Sequence, residues 1–178
     1  MKRNYILIFA TLLLASSLFG CSKKTTIKSY IAGASAADMS EYTELTNSNG
    51  FASITREQLI ASVGNENVNA IVYMGFSGCN NCQKAIKSIQ DAAIKANQTV
   101  YYLDLTAEIV EDTDYDEIYN ALEPILTIKG DDTEPQLYTP QVFVIVGGEL
   151  YRGLIGYDEE FDYSTLMDFD SVKEMMGK

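Results

Sequence analysis

The chain has 178 residues, with 13 Lys and Arg against 25 Asp and Glu and no histidine, a formal charge of -12. So acidic a balance argues against a nucleic-acid partner, because binding phosphate needs a basic face, and against adhesion to anionic lipid by charge alone. Only three cysteines are present, and two of them lie in one short stretch.

The N-terminus begins with the basic Met1-Lys2-Arg3-Asn4, runs through the apolar "YILIFATLLLASSLFG" and reaches Cys21. That is the layout of a secretory signal, and the apolar run falls short of the about 20 residues of a comfortable membrane span. Leu18-Phe19-Gly20-Cys21 resembles the lipobox of bacterial lipoproteins, with Phe19 where a smaller residue is usual. The resemblance implies that Cys21 is acylated and anchors the protein to the outer face of the cell membrane, where thiols can be oxidised. Residues 1–20 are therefore read as a lipoprotein signal peptide. Residues 21–50, rich in Ser, Thr, Ala, Gly and Asn with no sustained apolar period, are read as a lipidated tether, and residues 51–178 as one folded domain. The competing reading of the tether is that its later half, from Met39, packs on the domain.

In "ITREQLIASVG", Thr55 and Gln58 have capping-box spacing and Leu59, Ile60 and Val63 helical spacing, which predicts a short helix ending near Gly64. "VNAIVYMGF" is a continuous apolar run, as expected for a buried central strand. It leads to the cysteines, after which Ile86, Ile89 and Ala93 mark one face of a helix. "TVYYLDL" predicts a second strand, and an acidic segment predicts a helix over about Tyr115 to Leu126. "PQVFVIV" and "ELYRGLIG" predict two strands joined by a two-residue glycine turn. Thr165 and Asp168, followed by Leu166, Phe169, Val172 and Met176, predict a final helix. The element order points to an α/β domain with a mixed sheet and helices on its faces.

Strand, then Gly78-Cys79-Asn80-Asn81-Cys82, then helix is the arrangement that thiol exchange requires. A cysteine at a helix N-terminus meets unpaired N–H groups and the positive dipole end, which favour the thiolate. Cys82, one turn further on, is placed to displace a mixed disulfide formed on Cys79. Cys79 is thus the expected nucleophile and Cys82 the resolving thiol.

Here the sequence resembles thioredoxin-like proteins, and the resemblance reaches past the cysteines. Thr139-Pro140 before "QVFVIV" matches the family's cis-proline, Gly147-Gly148-Glu149 its hairpin, and Gly156 the glycine of the following strand. It implies a thioredoxin-like fold and thiol-disulfide oxidoreductase activity, with Thr139 and Pro140 offering backbone to an extended substrate. The cysteine pair itself carries the two electrons, so no separate cofactor is implied. Implied partners are exported cysteine-containing proteins or peptides, or a membrane-bound redox partner. With its lipobox, "YMGFSGCNNC" looks most like the thioredoxin-like lipoproteins of Gram-positive bacteria, including bacteriocin transport accessory proteins. The pattern departs from classical thioredoxins at Gly78, where they carry Trp, at Asn80-Asn81, where they carry Gly-Pro, and at Tyr73, where they bury an acid.

Other readings of the pair are weaker. A zinc site needs about four ligands, and two mature cysteines with no histidine cannot supply them. A structural clip closing so short a loop removes little chain entropy. A thioredoxin-like module that binds without turnover, assisting peptide or bacteriocin export, is the remaining alternative. Lys84 and Lys87 could favour a thiolate or simply form the solvated helix face. Asp112, Asp114, Asp116 and Glu123 superficially match a calcium loop, but Glu117 stands where its turn requires Gly; an acidic helix start explains them. Most of the twelve tyrosines and seven phenylalanines, Tyr73 among them, are read as sheet and core residues.

Overall fold

The computed structural model describes residues 27–175. The expected signal peptide and the lipidation site Cys21 lie outside the described residues, as does Met176.

Six strands form one sheet: β1 (Ser35–Ala36), β2 (Phe51–Ser53), β3 (Asn69–Gly75), β4 (Val100–Asp104), β5 (Gln141–Val146) and β6 (Glu149–Ile155). Their order is β1-β2-β4-β3-β5-β6. The inner pairs β2/β4 and β3/β4 are parallel, whereas β3/β5, β5/β6 and β1/β2 are antiparallel. The helices are α1 (Arg56–Ser62), α2 (Asn80–Ala96), α3 (Leu105–Glu108), α4 (Asp112–Leu122) and α5 (Phe169–Met175).

Alternation along the strands sends successive side chains to opposite faces. Ile71, Tyr73, Val100, Tyr102, Val142 and Val144 point to one face, where Ile86, Ile89 and Ala93 of α2 and Phe169 and Val172 of α5 cover them. Val72, Met74, Tyr101, Leu103, Phe143 and Ile145 point to the other, beneath Leu59 of α1 and Ile118 and Leu122 of α4. Burial on both sides explains why β3 reads as an unbroken apolar run.

Local signals act where the chain is continuous. Gln58 N–H donates to Thr55 Oγ1 (3.3 Å) and Thr55 N–H to Gln58 Oε1 (2.9 Å), the capping box that starts α1. Gly147 and Gly148 both have positive φ, 58° and 80°, as the tight turn between β5 and β6 requires.

Three elements differ from expectation. The acidic helix α4 begins at Asp112, because Asp114 accepts from the N–H groups of Val110 and Glu111 (2.9 Å each), and it gives way to a 3₁₀ turn, Glu123–Ile125, at Pro124. Asp114 also pairs with Arg56, so its carboxylate is engaged by the helix start and by α1. The C-terminal segment divides in two: Asp162 caps a 3₁₀ turn, Tyr163–Leu166, and α5 starts only at Phe169.

The third difference is the tether. From residue 27 onward it lies on the domain. Tyr30 N–H donates to Asn69 O (2.8 Å), β1 pairs with β2, and Ile31, Ala37, Met39 and Tyr42 are buried. The helix α2 holds it down: Gln83 Nε2 donates to Glu41 O (2.9 Å), and Gln90 Nε2 to Asn47 O (3.0 Å) and Asn49 O (2.9 Å). The folded unit therefore reaches back well before residue 51. Isolated anchors on irregular backbone have no period, and composition alone reads such a stretch as linker.

Candidate active site

β3 ends at Gly75, and the turn Phe76–Cys79 carries the chain into α2. Cys79 is the N-cap residue, with extended backbone, and its Sγ accepts from the Cys82 N–H at 3.2 Å. One side of Cys79 remains partly exposed, whereas Cys82 is wholly buried; both are free thiols. Across the turn, the Thr139–Pro140 peptide is cis. Thr139 Oγ1 donates to Cys79 Sγ at 3.6 Å, and the thiol lies 3.9 Å from Thr139 O. Residues some sixty positions apart meet because β5 pairs antiparallel with β3, bringing Gln141 opposite Met74.

The two sulfurs are polarised in opposite directions. Burial alone raises the Cys79 thiol. Hydrogen bonds from the Cys82 thiol, the Thr139 hydroxyl and the N–H groups of Cys82 and Asn81 outweigh it and bring Cys79 below the ordinary thiol range. Burial, then the hydrogen bond it gives Cys79, push Cys82 up to about 11. Cys79 is thus the sulfur that ionises first. Alkylation of the reduced protein by iodoacetamide is expected to modify Cys79 alone at pH 7, with an inflection below that of a free cysteine. Equal modification of Cys82, mapped by peptide mass spectrometry, would contradict this.

The lysines are engaged elsewhere on the helix face. Lys87 pairs with Asp91 one turn along an exposed face, and Lys84 lies over the Tyr157 ring, 5.8 Å from its centroid.

Tyr73 is fully buried, and its hydroxyl sits against Cys82: a Cβ placed on Gly75 would lie 2.6 Å from Tyr73 Oη and 3.0 Å from Cys82 Sγ. Its ring stacks on Tyr102 with centroids 5.5 Å apart, and Tyr42 packs edge-on against both. Tyr73 is thus a core aromatic whose polar end meets the Cys82 thiol. Tyr42, Tyr102 and Asp104, absent from the expected site, stand behind it. Tyr102 carried a usable signal in the sequence, being in the second predicted strand. Tyr42 carried none.

A parallel β2-β4-β3 half continued by an antiparallel β5-β6 hairpin, with a cis-proline facing a C-x-x-C turn between strand and helix, decides the architecture. The fold is thioredoxin-like. Among solved structures, thioredoxin O2 from Arabidopsis thaliana in its oxidized state is similar to this chain at 16% identity and a TM-score of 0.43, covering 72% of this chain and 96% of that one. No family model matches the chain, and no curated protein matches it.

Proposed function

We propose that this protein is a thiol-disulfide oxidoreductase held at the outer face of a membrane by acyl chains on Cys21. The observation that carries the redox reading is Cys79 Sγ at the N-cap of α2, hydrogen-bonded by the Cys82 N–H and the Thr139 hydroxyl. In the reducing direction, the Cys79 thiolate attacks a substrate disulfide, forming one S–S bond and releasing one substrate thiolate. Cys82, deprotonated, then attacks Cys79 Sγ and expels the second substrate thiolate. Two electrons pass to the substrate and the pair ends as a disulfide; the oxidising direction is the reverse. Thr139 and Pro140 line the groove beside Cys79 and offer backbone to an extended segment of an exported cysteine-containing protein or peptide.

The lipobox resemblance at Leu18–Cys21 supports the anchor and, with "CNNC", a place among Gram-positive thioredoxin-like lipoproteins, which include bacteriocin transport accessory proteins. Turnover separates this reading from that of an accessory module that binds without chemistry. Wild type is expected to reduce insulin with dithiothreitol as electron source, and Cys79→Ser to fall to the uncatalysed rate; equal rates would leave only binding. The same assay on cell fractions tests the anchor, since Cys21→Ala is expected to move activity from the membrane to the soluble fraction. Activity staying with the membrane would remove the lipid from the account.

A further inference from the structure

For Cys82 to attack, its proton must leave a site with no solvent contact. The thiol is wholly buried and held as S–H by that burial. The chain has no histidine, and Tyr73 stands on β3 at the position where classical thioredoxins bury an acid. What faces the thiol is Cys79 and the Phe76 backbone from its own turn and the Tyr73 hydroxyl from β3.

From Tyr73 a line of hydroxyls leads away. Tyr73 Oη and Tyr42 Oη are 3.2 Å apart, and the Tyr42 hydroxyl donates to Tyr102 Oη at 3.2 Å. Asp104 follows Tyr102 two residues along β4 on the same face. Tyr102 and Asp104 both line an open pocket of about 350 Å³ beside Ser53, Thr55 and Glu108. A closed core at Cys82 is thus joined to solvent through three strand and loop residues.

We propose that Tyr73, Tyr42 and Tyr102 form a proton relay between the buried Cys82 thiol and the Asp104 carboxylate at the surface pocket. This rests on the oxidoreductase reading above and deepens it. In the mixed disulfide Cys79 Sγ is bonded to substrate, so the Cys82 S–H turns away from it, and on attack its proton passes to Tyr73 Oη. The Tyr73 proton passes to Tyr42, that of Tyr42 to Tyr102, and that of Tyr102 to Asp104. The Cys82 lone pair meanwhile forms the bond to Cys79 Sγ, and the substrate sulfur leaves with the electrons of the broken bond. One proton has reached Asp104, each tyrosine is neutral again, and its hydroxyl now points the other way. A Tyr73 hydroxyl turned toward the Cys82 sulfur lowers its pKa against the effect of burial. Burial also raises all three phenols, Tyr42 to about 12. The tyrosines therefore conduct as neutral hydroxyls and store no charge. Asp104 stays in place at the outer end because Thr106 donates to it from both N–H (2.9 Å) and Oγ1 (2.7 Å).

The test is stopped-flow reaction of the reduced full chain with 5,5′-dithiobis(2-nitrobenzoate), which separates the two attacks. The first equivalent of thionitrobenzoate reports Cys79 and the second reports resolution by Cys82. Tyr42→Phe keeps the ring and touches neither sulfur, and Asp104→Asn keeps the cap on Thr106 while removing the acceptor. Each is expected to leave the first phase close to wild type and slow the second about a hundredfold, as loss of a general base does. A proton inventory in H₂O/D₂O mixtures should curve for the second phase of wild type, where several protons move together, and straighten in Tyr42→Phe; repacking alone would not change its shape. A second phase and inventory in both variants equal to wild type would overturn the relay and leave the oxidoreductase reading standing. Wild type that releases only one equivalent would overturn that reading itself.

Discussion

Cys82→Ser is expected to capture its substrate instead of turning it over. Cys79 keeps its N-cap position and the Thr139 hydroxyl, so the first attack proceeds. The mixed disulfide then has no neighbour to displace it. Well-oriented intramolecular reactions reach effective molarities of about 10⁵ M, so a millimolar external thiol is a poor replacement and insulin turnover should fall by at least about a hundredfold. The measurement is a non-reducing gel followed by mass spectrometry of the adduct, which dithiothreitol should release. Burial gives the expectation a second edge: Cys82 is fully enclosed and Cys79 is not, so the reciprocal Cys79→Ser variant should trap nothing. Adducts on both variants in equal amount would reverse the assigned roles.

The second large effect falls on a residue with no chemistry of its own. At Gly75 an added methyl would stand 2.6 Å from Tyr73 Oη, 2.9 Å from its Cζ and 3.0 Å from Cys82 Sγ. Tyr73 cannot yield, being fully buried, stacked on Tyr102 and bounded by Tyr42 and Phe51. Overpacking of this kind costs about 1–3 kcal/mol, and the displaced hydroxyl loses its partners as well. Gly75→Ala is therefore expected to lower Tm by roughly 5–10 °C and to slow resolution by Cys82. Gly78, three residues away, is the control. Its added methyl would meet only the Phe76 ring at 3.5 Å, an ordinary contact. Gly78→Ala should stay within about 2 °C of wild type, as surface substitutions do. Equal melting temperatures for the two variants, measured by circular dichroism, would refute the packing argument.

These two glycines mark how far sequence reasoning reached. Both stand in "YMGFSGCNNC", and nothing local separates them. Only the position of the Tyr73 hydroxyl does. The strands flanking the cysteines, the capping box at Thr55 and the Gly147-Gly148 turn were legible because each is written in consecutive residues. The pairing of Thr139-Pro140 with the cysteines was legible through resemblance to a known pattern. The contribution of residues 27–38 was not, and packing from Met39 onward stood only as the competing reading. β1 and β2 have two and three residues, too short for alternation to register, and Tyr42 reaches the core from an irregular segment.

By itself the sequence determined that Cys79 opens a helix at the end of a buried strand, with Cys82 one turn behind it. That much depends on periodicity and on backbone groups within a few residues. Tertiary structure alone decided that the thiols differ in burial, that Thr139 donates to Cys79 and that three tyrosine hydroxyls line up behind Cys82. The parallel register sets Tyr73 of β3 beside Tyr102 of β4, and an irregular loop adds Tyr42 across both. A hydrogen-bonded chain between segments tens of residues apart is set by sheet register and loop packing, which leave no period along the sequence.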